Sequence, residues 1–85
     1  MKLTNKDKEL LTSWGHPESD FAQIEKAMSK TTYETNGKKI SRDEALETLG
    51  RKEYLSGISR SAFHWSACRG EEGNYVYFDS SKLFK

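Results

Sequence analysis

Residues 51–67 read RKEYLSGISRSAFHWSA, and this stretch carries the clearest periodic signal in the chain. Successive residues of an α-helix lie about 100° apart, so side chains three or four positions apart share one face. On such a helix the large apolar side chains gather on one side, namely Tyr54, Leu55, Ile58, Ala62 and Trp65. The spacing therefore predicts an amphipathic helix over residues 51–67, with this stripe packed in the core.

Small residues make up much of the rest of the segment, and Gly57 stands in its middle. Glycine lowers helix stability by about 1 kcal/mol relative to alanine, so its position indicates a close backbone contact there. Phe63 lies almost opposite the apolar stripe, near Lys52 and Arg60. Two arrangements are open for this face: residues 75–78 fold over Phe63, which we favour, or Phe63 is an exposed aromatic beside basic groups. Arg60 should stay in solvent in both.

Two shorter helices are predicted near the amino terminus. Thr4 or Asn5 can cap the first, and Gly15 can end it. Pro17 fits the opening of the second. Its apolar residues recur at helical spacing, as Phe21, Ile24, Ala27 and Met28. This spacing predicts an amphipathic helix with one buried face.

A β-hairpin is predicted after the second helix. Asn36-Gly37 is a strong signal for a type I′ turn, with arms at about 32–35 and 38–40. Such short polar arms need a third strand or a helix beneath them. The run NYVYFD at 74–79 has alternating ring positions and could supply that strand.

A third helix follows the hairpin, because Ser41 and Glu44 match a capping box and Gly50 can end the helix. Together these signals predict an α+β fold in a single compact domain, residues 1–85. It should hold about four short helices and a small two- or three-stranded antiparallel sheet. We expect a core built on Trp14, Phe21, Ile24, Leu46, Leu49, Leu55, Ile58 and Trp65.

The amino-acid composition excludes some classes of protein but does not identify a function. The 85 residues carry 14 basic and 13 acidic side chains, a net charge of +1, which fits neither a nucleic-acid-coating protein nor an acidic DNA mimic. One cysteine cannot form an internal disulfide, and no apolar run approaches the length of a membrane span. The start MKLTNKDKELL has no apolar segment typical of a signal peptide. We expect a reduced, cytoplasmic protein without a membrane partner.

His64 and Cys68 are four residues apart and would share a face of the predicted helix. Zinc takes about four ligands, and the chain offers only one further histidine and no further cysteine. As a nucleophile and base the pair lacks an orienting third group. We therefore expect no metal, no cofactor and no catalytic role. Cys68 should be a small buried residue at the edge of the apolar stripe, and His64 a partly exposed polar one.

The run GKKISRDEALETLGRKEYLSGISRSAFHWSA at 37–67 resembles small uncharacterised proteins of gut Firmicutes and of their phages or conjugative elements. The resemblance covers about residues 14 to 79, through TSWG, ISRDEAL, SGISRSAFHW and YFD. It carries no catalytic motif and transfers no functional residue. It implies a mobile-element setting, in which small proteins often dock on a host or rival machine.

The expected function is that of a non-enzymatic binding module, an inhibitor or accessory factor whose main partner is a protein. An aromatic flanked by arginine is typical of a binding hot spot. The candidate partner-binding residues are Lys52, Arg60, Phe63, His64 and Arg69.

The alternative is a nucleic-acid-binding protein. It would use the helix at 51–67 or a helix-turn-helix at 5–28. Tyr75, Tyr77 and Phe78 could stack bases, but few basic residues lie nearby, so we favour core and sheet packing for them.

Overall fold

The computed structural model describes residues 2–71 and 73–84. In these residues four α-helices and four strands follow one another, with two short 3-10 turns at Glu18–Asp20 and Ser81–Phe84. The helices are α1 (Asn5–Ser13), α2 (Phe21–Lys30), α3 (Arg42–Leu49) and α4 (Arg51–His64). The strands are β1 (Thr32–Thr35), β2 (Lys38–Ile40), β3 (Ser66–Glu71) and β4 (Asn74–Asp79). The α+β prediction is confirmed, but the sheet has four strands instead of two or three.

The sheet is antiparallel throughout and has the strand order β2-β1-β4-β3. The predicted hairpin arms are confirmed, and Asn36 and Gly37 both have the positive φ angles that a type I′ turn requires. β4 pairs with β1 through Tyr33 and Phe78 and so supplies the expected third strand. On its other edge β4 pairs with β3, which the sequence analysis did not predict.

Capping boxes start two of the helices. The Thr4 side chain accepts a hydrogen bond from the backbone of Asp7, and the Asp7 side chain accepts one from the backbone of Thr4. Ser41 and Glu44 make the same exchange at the start of α3. Both boxes satisfy backbone N–H groups that the first helical turn leaves free. The predicted starts of these two helices are therefore confirmed.

The core lies between the helices and one face of the sheet. α2 and α3 both pack on α4, and α4 packs on β3 and β4. The fully buried side chains there include Ile24, Leu55, Ile58, Val76 and Phe78. The opposite face of the sheet is open to solvent and carries Tyr75 and Tyr77, so these two rings lie on the sheet but outside the core, whereas Phe78 is in the core as predicted.

The end of α4 differs from the prediction. The helix stops at His64, because Trp65 adopts the left-handed conformation with φ 57°, and the chain reverses into β3. The Trp65 carbonyl then accepts a hydrogen bond from the backbone of Ser80, next to the β3–β4 ladder. Trp65 therefore leaves the apolar stripe and is 52% exposed. The rest of the stripe, Tyr54, Leu55, Ile58 and Ala62, is buried as predicted.

The predicted core needs two further corrections. Trp14 is the C-cap of α1 and is 38% exposed, so it is not a core residue. Phe21, Leu46 and Leu49 are partly buried and pack against the core from its margin. Gly57 does mark a close approach, but its neighbour is the ring of Phe78 and not the backbone that we expected.

Among the described residues, no helix combines the length and the apolar character needed to cross a lipid bilayer. The longest, α4, has 14 residues and carries charged side chains. A membrane-spanning helix needs about 20 predominantly apolar residues.

Candidate binding site

A cavity of about 400 Å³ opens where α4, the segment between α1 and α2, and β3 meet. We call it the α4 cleft. α4 supplies Ser56, Ser59, Arg60, Phe63 and His64, the connecting segment supplies Trp14, His16 and Asp20, and β3 supplies Arg69. Four of the five predicted partner-binding residues thus line one cavity. The fifth, Lys52, lies two helical turns before Arg60 and outside the lining.

Helical spacing explains which side of α4 faces the cleft. Ser56, Ser59, Arg60 and Phe63 fall at positions i, i+3, i+4 and i+7, which share one face of a helix. The buried stripe of Tyr54, Leu55, Ile58 and Ala62 occupies another face and packs in the core. The two small serines leave room beside the helix, and the Ser59 hydroxyl donates to the Ser56 carbonyl at 3.0 Å. The cleft is therefore a hollow between larger side chains, with these serines on its α4 side.

Phe63 remains 40% exposed, and residues 75–78 do not cover it. β4 packs elsewhere on α4, where its Phe78 ring lies against Gly57. The burial of Phe63 that we favoured is therefore wrong. Instead the His16 ring stacks on Phe63, with 6.3 Å between ring centroids and 23° between planes.

The His16 ring is held by a hydrogen-bonding partner on the same segment. Its Nδ1 lies 3.0 Å from Oδ2 of Asp20. This contact fixes one edge of the imidazole while its face meets Phe63. The carboxylate of Asp20 is thereby engaged at the margin of the cleft.

Arg69 enters the cleft because of the register of β3. It is paired with the buried Val76, so its side chain emerges on the helix-covered face of the sheet, beside α4. Its Nε donates to the Ser56 hydroxyl at 3.0 Å, and its Nη1 donates to the Cys68 carbonyl at 2.8 Å. Two hydrogen bonds from different elements therefore orient this guanidinium.

Arg60 is exposed, as predicted. Within residues 2–71 and 73–84, the contacts of 4.0 Å or less between a basic and an acidic side chain are His16–Asp20 and Arg51–Asp7. No described carboxylate therefore neutralises Arg60 or Arg69 directly. The cleft combines two such cations with the exposed rings of Trp14 and Phe63.

His64 and Cys68 do not share a helix face, since α4 ends between them. His64 is exposed and lines the cleft, whereas Cys68 lies on β3 opposite Tyr77 and is also exposed. The predicted burial of Cys68 is wrong. In the described part of the chain, no group of three His, Cys, Asp or Glu side chains is placed to hold a metal ion. The absence of a metal therefore stays a prediction.

The sequence analysis missed part of the cleft. Trp14 was assigned to the core, and neither His16 nor Asp20 was assigned to a site. No local pattern links the segment at 14–20 to α4, because only the packing of the α1–α2 connection beside α4 brings them together. The polar composition of WGHPESD is the one signal that could have marked this segment as exposed.

Comparisons of the chain with protein families, with curated proteins and with solved structures found no match. The interpretation of the cleft therefore rests on its own residues. Their chemistry consists of two guanidinium groups, one carboxylate, two imidazoles, two exposed aromatic rings and two small hydroxyl side chains on α4. Arginine and exposed aromatic rings are the groups that carry most binding energy at protein interfaces.

Proposed function

We propose that this chain is a non-enzymatic binding module that docks on a partner protein through the α4 cleft. The observation that carries the proposal is that Arg60, Phe63, His64 and Arg69 line one cavity, although they come from a helix and a separate strand. Half-exposed aromatic rings beside guanidinium groups offer both apolar area and directional hydrogen bonds. A partner that covers the cleft would desolvate both kinds of group at once.

The charge in the cleft suits a protein partner better than a nucleic acid. Affinity for nucleic acid depends on several cations placed along a phosphate backbone. Here two cations, Arg60 and Arg69, face one hollow of about 400 Å³, and Asp20 adds a carboxylate at its margin. This arrangement fits a few groups of one peptide segment and not an extended polyanion.

The hydroxyl groups in the cleft favour binding over catalysis. A serine nucleophile needs a base within hydrogen-bond reach of its oxygen. The Ser59 hydroxyl instead donates to a backbone carbonyl, and the Ser56 hydroxyl accepts from Arg69. Ser59 is thus bonded to the helix backbone, and Ser56 orients Arg69.

The resemblance implies a mobile-element setting, and this setting suggests a cellular role for the binding. In that setting the module would be a cytoplasmic inhibitor or accessory factor that occupies a site on a host or rival protein. The partner's identity would test this part of the proposal.

Nucleic-acid binding is the second candidate function. Lys52 and Arg60 are exposed along α4, and Tyr75 and Tyr77 are exposed on the open sheet face. Exposed rings on a sheet can stack on bases. On the adjoining strand β1, however, Glu34 lies opposite Lys39 on one side and Tyr77 on the other. The charge of Glu34 offsets that of Lys39, so this face offers a phosphate backbone no excess of positive charge.

The test is affinity capture from a bacterial lysate with four proteins: wild type, Phe63→Ala, Arg60→Gln and the control Lys39→Gln. Lys39 is exposed on β2, away from the cleft, so its substitution removes the same charge elsewhere. We expect the same partner with wild type and control, before and after nuclease treatment, and its loss with both cleft variants. Loss of the partner on nuclease treatment would favour nucleic acid. Equal capture of the partner by all four proteins would show that the α4 cleft is not the binding site.

A further inference from the structure

The guanidinium of Arg69 is oriented before any partner arrives. A guanidinium has five N–H donors, and the bonds to the Ser56 hydroxyl and the Cys68 carbonyl use two of them. The remaining three belong to Nη1 and Nη2, and these two nitrogens together form the end of the planar fork. Because Nε is tied to α4 and Nη1 to β3, the plane of this fork is defined by two elements of the fold.

The other side of the cleft supplies a second cation and an apolar surface. Arg60 lines the same cavity and is exposed, so it can move to meet a bound anion. Phe63 and Trp14 are 40% and 38% exposed and line it too. Charged and apolar groups therefore face one space of about 400 Å³, the size of a few side chains.

We propose that the α4 cleft recognises a carboxylate carried next to an aromatic side chain in an acidic segment of the partner. The carboxylate would accept two hydrogen bonds from the fork of Arg69 and one from Arg60. The neighbouring ring would pack against Phe63 and Trp14. This inference rests on the proposed function and names the chemistry that its partner must present.

Charge complementarity selects the acidic segment among possible occupants. Within the described residues no carboxylate pairs with Arg60 or Arg69, so a partner carboxylate would supply the missing counter-charge. A carboxylate matches the planar fork of arginine in a bidentate pair. Apart from its histidines, the cleft has a net charge of +1 from Arg60, Arg69 and Asp20, which one carboxylate balances and a phosphate dianion exceeds. A glutamate or aspartate side chain and a chain terminus share this chemistry.

The direct test is a titration followed by two-dimensional NMR, with short blocked peptides as probes. The first peptide has a phenylalanine between two glutamates, and its control has glutamines in place of both glutamates. A third peptide ends in phenylalanine with a free carboxyl terminus and no acidic side chain, which separates the two sources of carboxylate. A single-stranded DNA oligonucleotide is the fourth probe.

We expect the glutamate peptide to shift resonances of Arg69, Phe63 and His16, and the glutamine peptide to bind about tenfold more weakly or worse. The free-terminus peptide is expected to bind as weakly as the glutamine control, because it has no acidic side chain; binding as tight as that of the glutamate peptide would show that the cleft recognises a chain terminus and not an acidic segment. Equal binding of the glutamate and glutamine peptides, or shifts at the cleft with DNA alone, would overturn the proposal.

Two matched substitutions test the fork itself. Arg69→Lys keeps the charge but loses the Nε donor and the planar fork. It should therefore weaken binding of the glutamate peptide about tenfold, nearly as much as Arg69→Gln does. Arg60→Lys should retain most of the affinity because Arg60 is free to move, and Lys39→Gln should retain all of it. If Arg69→Lys binds like wild type, the oriented fork has no role. Because Arg60 is exposed, Arg60→Gln tests the site even if an Arg69 variant folds poorly.

The failure of this inference can be told apart from the failure of the proposed function. If the peptides do not bind, but capture of the protein partner still depends on Phe63 and Arg60, the carboxylate subsite is wrong and the binding module stands. If capture does not depend on Phe63 or Arg60, the proposed function fails as well.

Discussion

The ring of Phe78, on the central strand β4, lies directly against Gly57 in the middle of α4. A Cβ built on Gly57 would stand 2.6 and 2.9 Å from Cε1 and Cε2 of that ring, closer than carbon atoms approach without a shift. Phe78 is fully buried and also contacts the rings of Tyr33 and Tyr54. The glycine therefore sets how closely the main helix approaches the sheet.

Gly57→Ala should destabilise the protein, although alanine is the better helix former. Overpacking a core by a methyl group costs about 1–3 kcal/mol, which exceeds the roughly 1 kcal/mol that helix propensity contributes. The measurement is the free energy of unfolding in urea for Gly57→Ala, Phe78→Leu and the double variant. The smaller leucine should relieve the clash, so Gly57→Ala should cost at least about 0.5 kcal/mol less in the Phe78→Leu background. If the free-energy changes of the two single variants simply add in the double variant, the contact between Gly57 and Phe78 does not limit how closely α4 approaches the sheet.

Phe63→Ala and Phe78→Ala form a matched pair, since both remove a phenylalanine ring near α4. Phe78 is buried, so its truncation should cost about 3–5 kcal/mol of unfolding free energy. Phe63 is 40% exposed, so its truncation should cost about 1 kcal/mol or less but weaken partner binding by about 2 kcal/mol. Chemical melts and affinity measurements check both. A loss of several kcal/mol of stability in Phe63→Ala would place this ring in the core.

The hydroxyl groups of Tyr33 and Tyr54 are hydrogen-bonded to each other at 2.7 Å inside the core. Burial raises the pKa of both phenols, so the pair stays neutral. Tyr54→Phe should cost about 1–3 kcal/mol, because it leaves the Tyr33 hydroxyl buried without this partner. The double Tyr33→Phe, Tyr54→Phe variant should be closer to wild type than either single variant, since it removes both polar groups. Thermal melts of all four proteins measure this, and a double variant less stable than both singles would refute it.

Asp7 ties the first helix to α4 and should make stability depend on pH. Its carboxylate is buried, accepts from Arg51 Nε at 3.1 Å and closes the Thr4 capping box. Burial by itself would raise the pKa of Asp7, but the hydrogen bonds from Arg51 and Thr4 outweigh it and hold the pKa below its usual 3.8. The contribution is therefore complete above the unfolded-state pKa and is lost as pH falls through the folded-state value.

Asp7→Asn should accordingly cost about 1–3 kcal/mol near neutral pH and flatten the loss of stability below about pH 4. The measurement is urea unfolding at several pH values between about 6 and 2.5, where wild type should lose more stability than the variant. Asp43→Asn is the control, because Asp43 is an exposed acid in the first turn of α3. Equal acid slopes for wild type and Asp7→Asn would exclude Asp7 as the source.

Local signals predicted much of the secondary structure. The capping residues Thr4 and Ser41, the Asn36-Gly37 turn and the spacing of Tyr54, Leu55 and Ile58 each act within a few residues of chain. Their hydrogen bonds and side-chain faces are the same wherever the segment lies in the fold. For that reason these starts, this turn and most of the buried stripe could be assigned from sequence alone.

The sequence by itself thus determined the α+β class, the starts of α1, α3 and α4, the β1–β2 hairpin and four of the residues that line the cleft. Only the tertiary structure decided where α4 ends, because Ser66–Glu71 becomes a strand by pairing with β4, and a left-handed Trp65 permits the reversal. That same pairing turns Arg69 toward Ser56, while the packing of Phe78 on Gly57 keeps β4 away from Phe63. The cleft depends on contacts between residues far apart in sequence, and such contacts leave no periodic or capping pattern in the segments that make them.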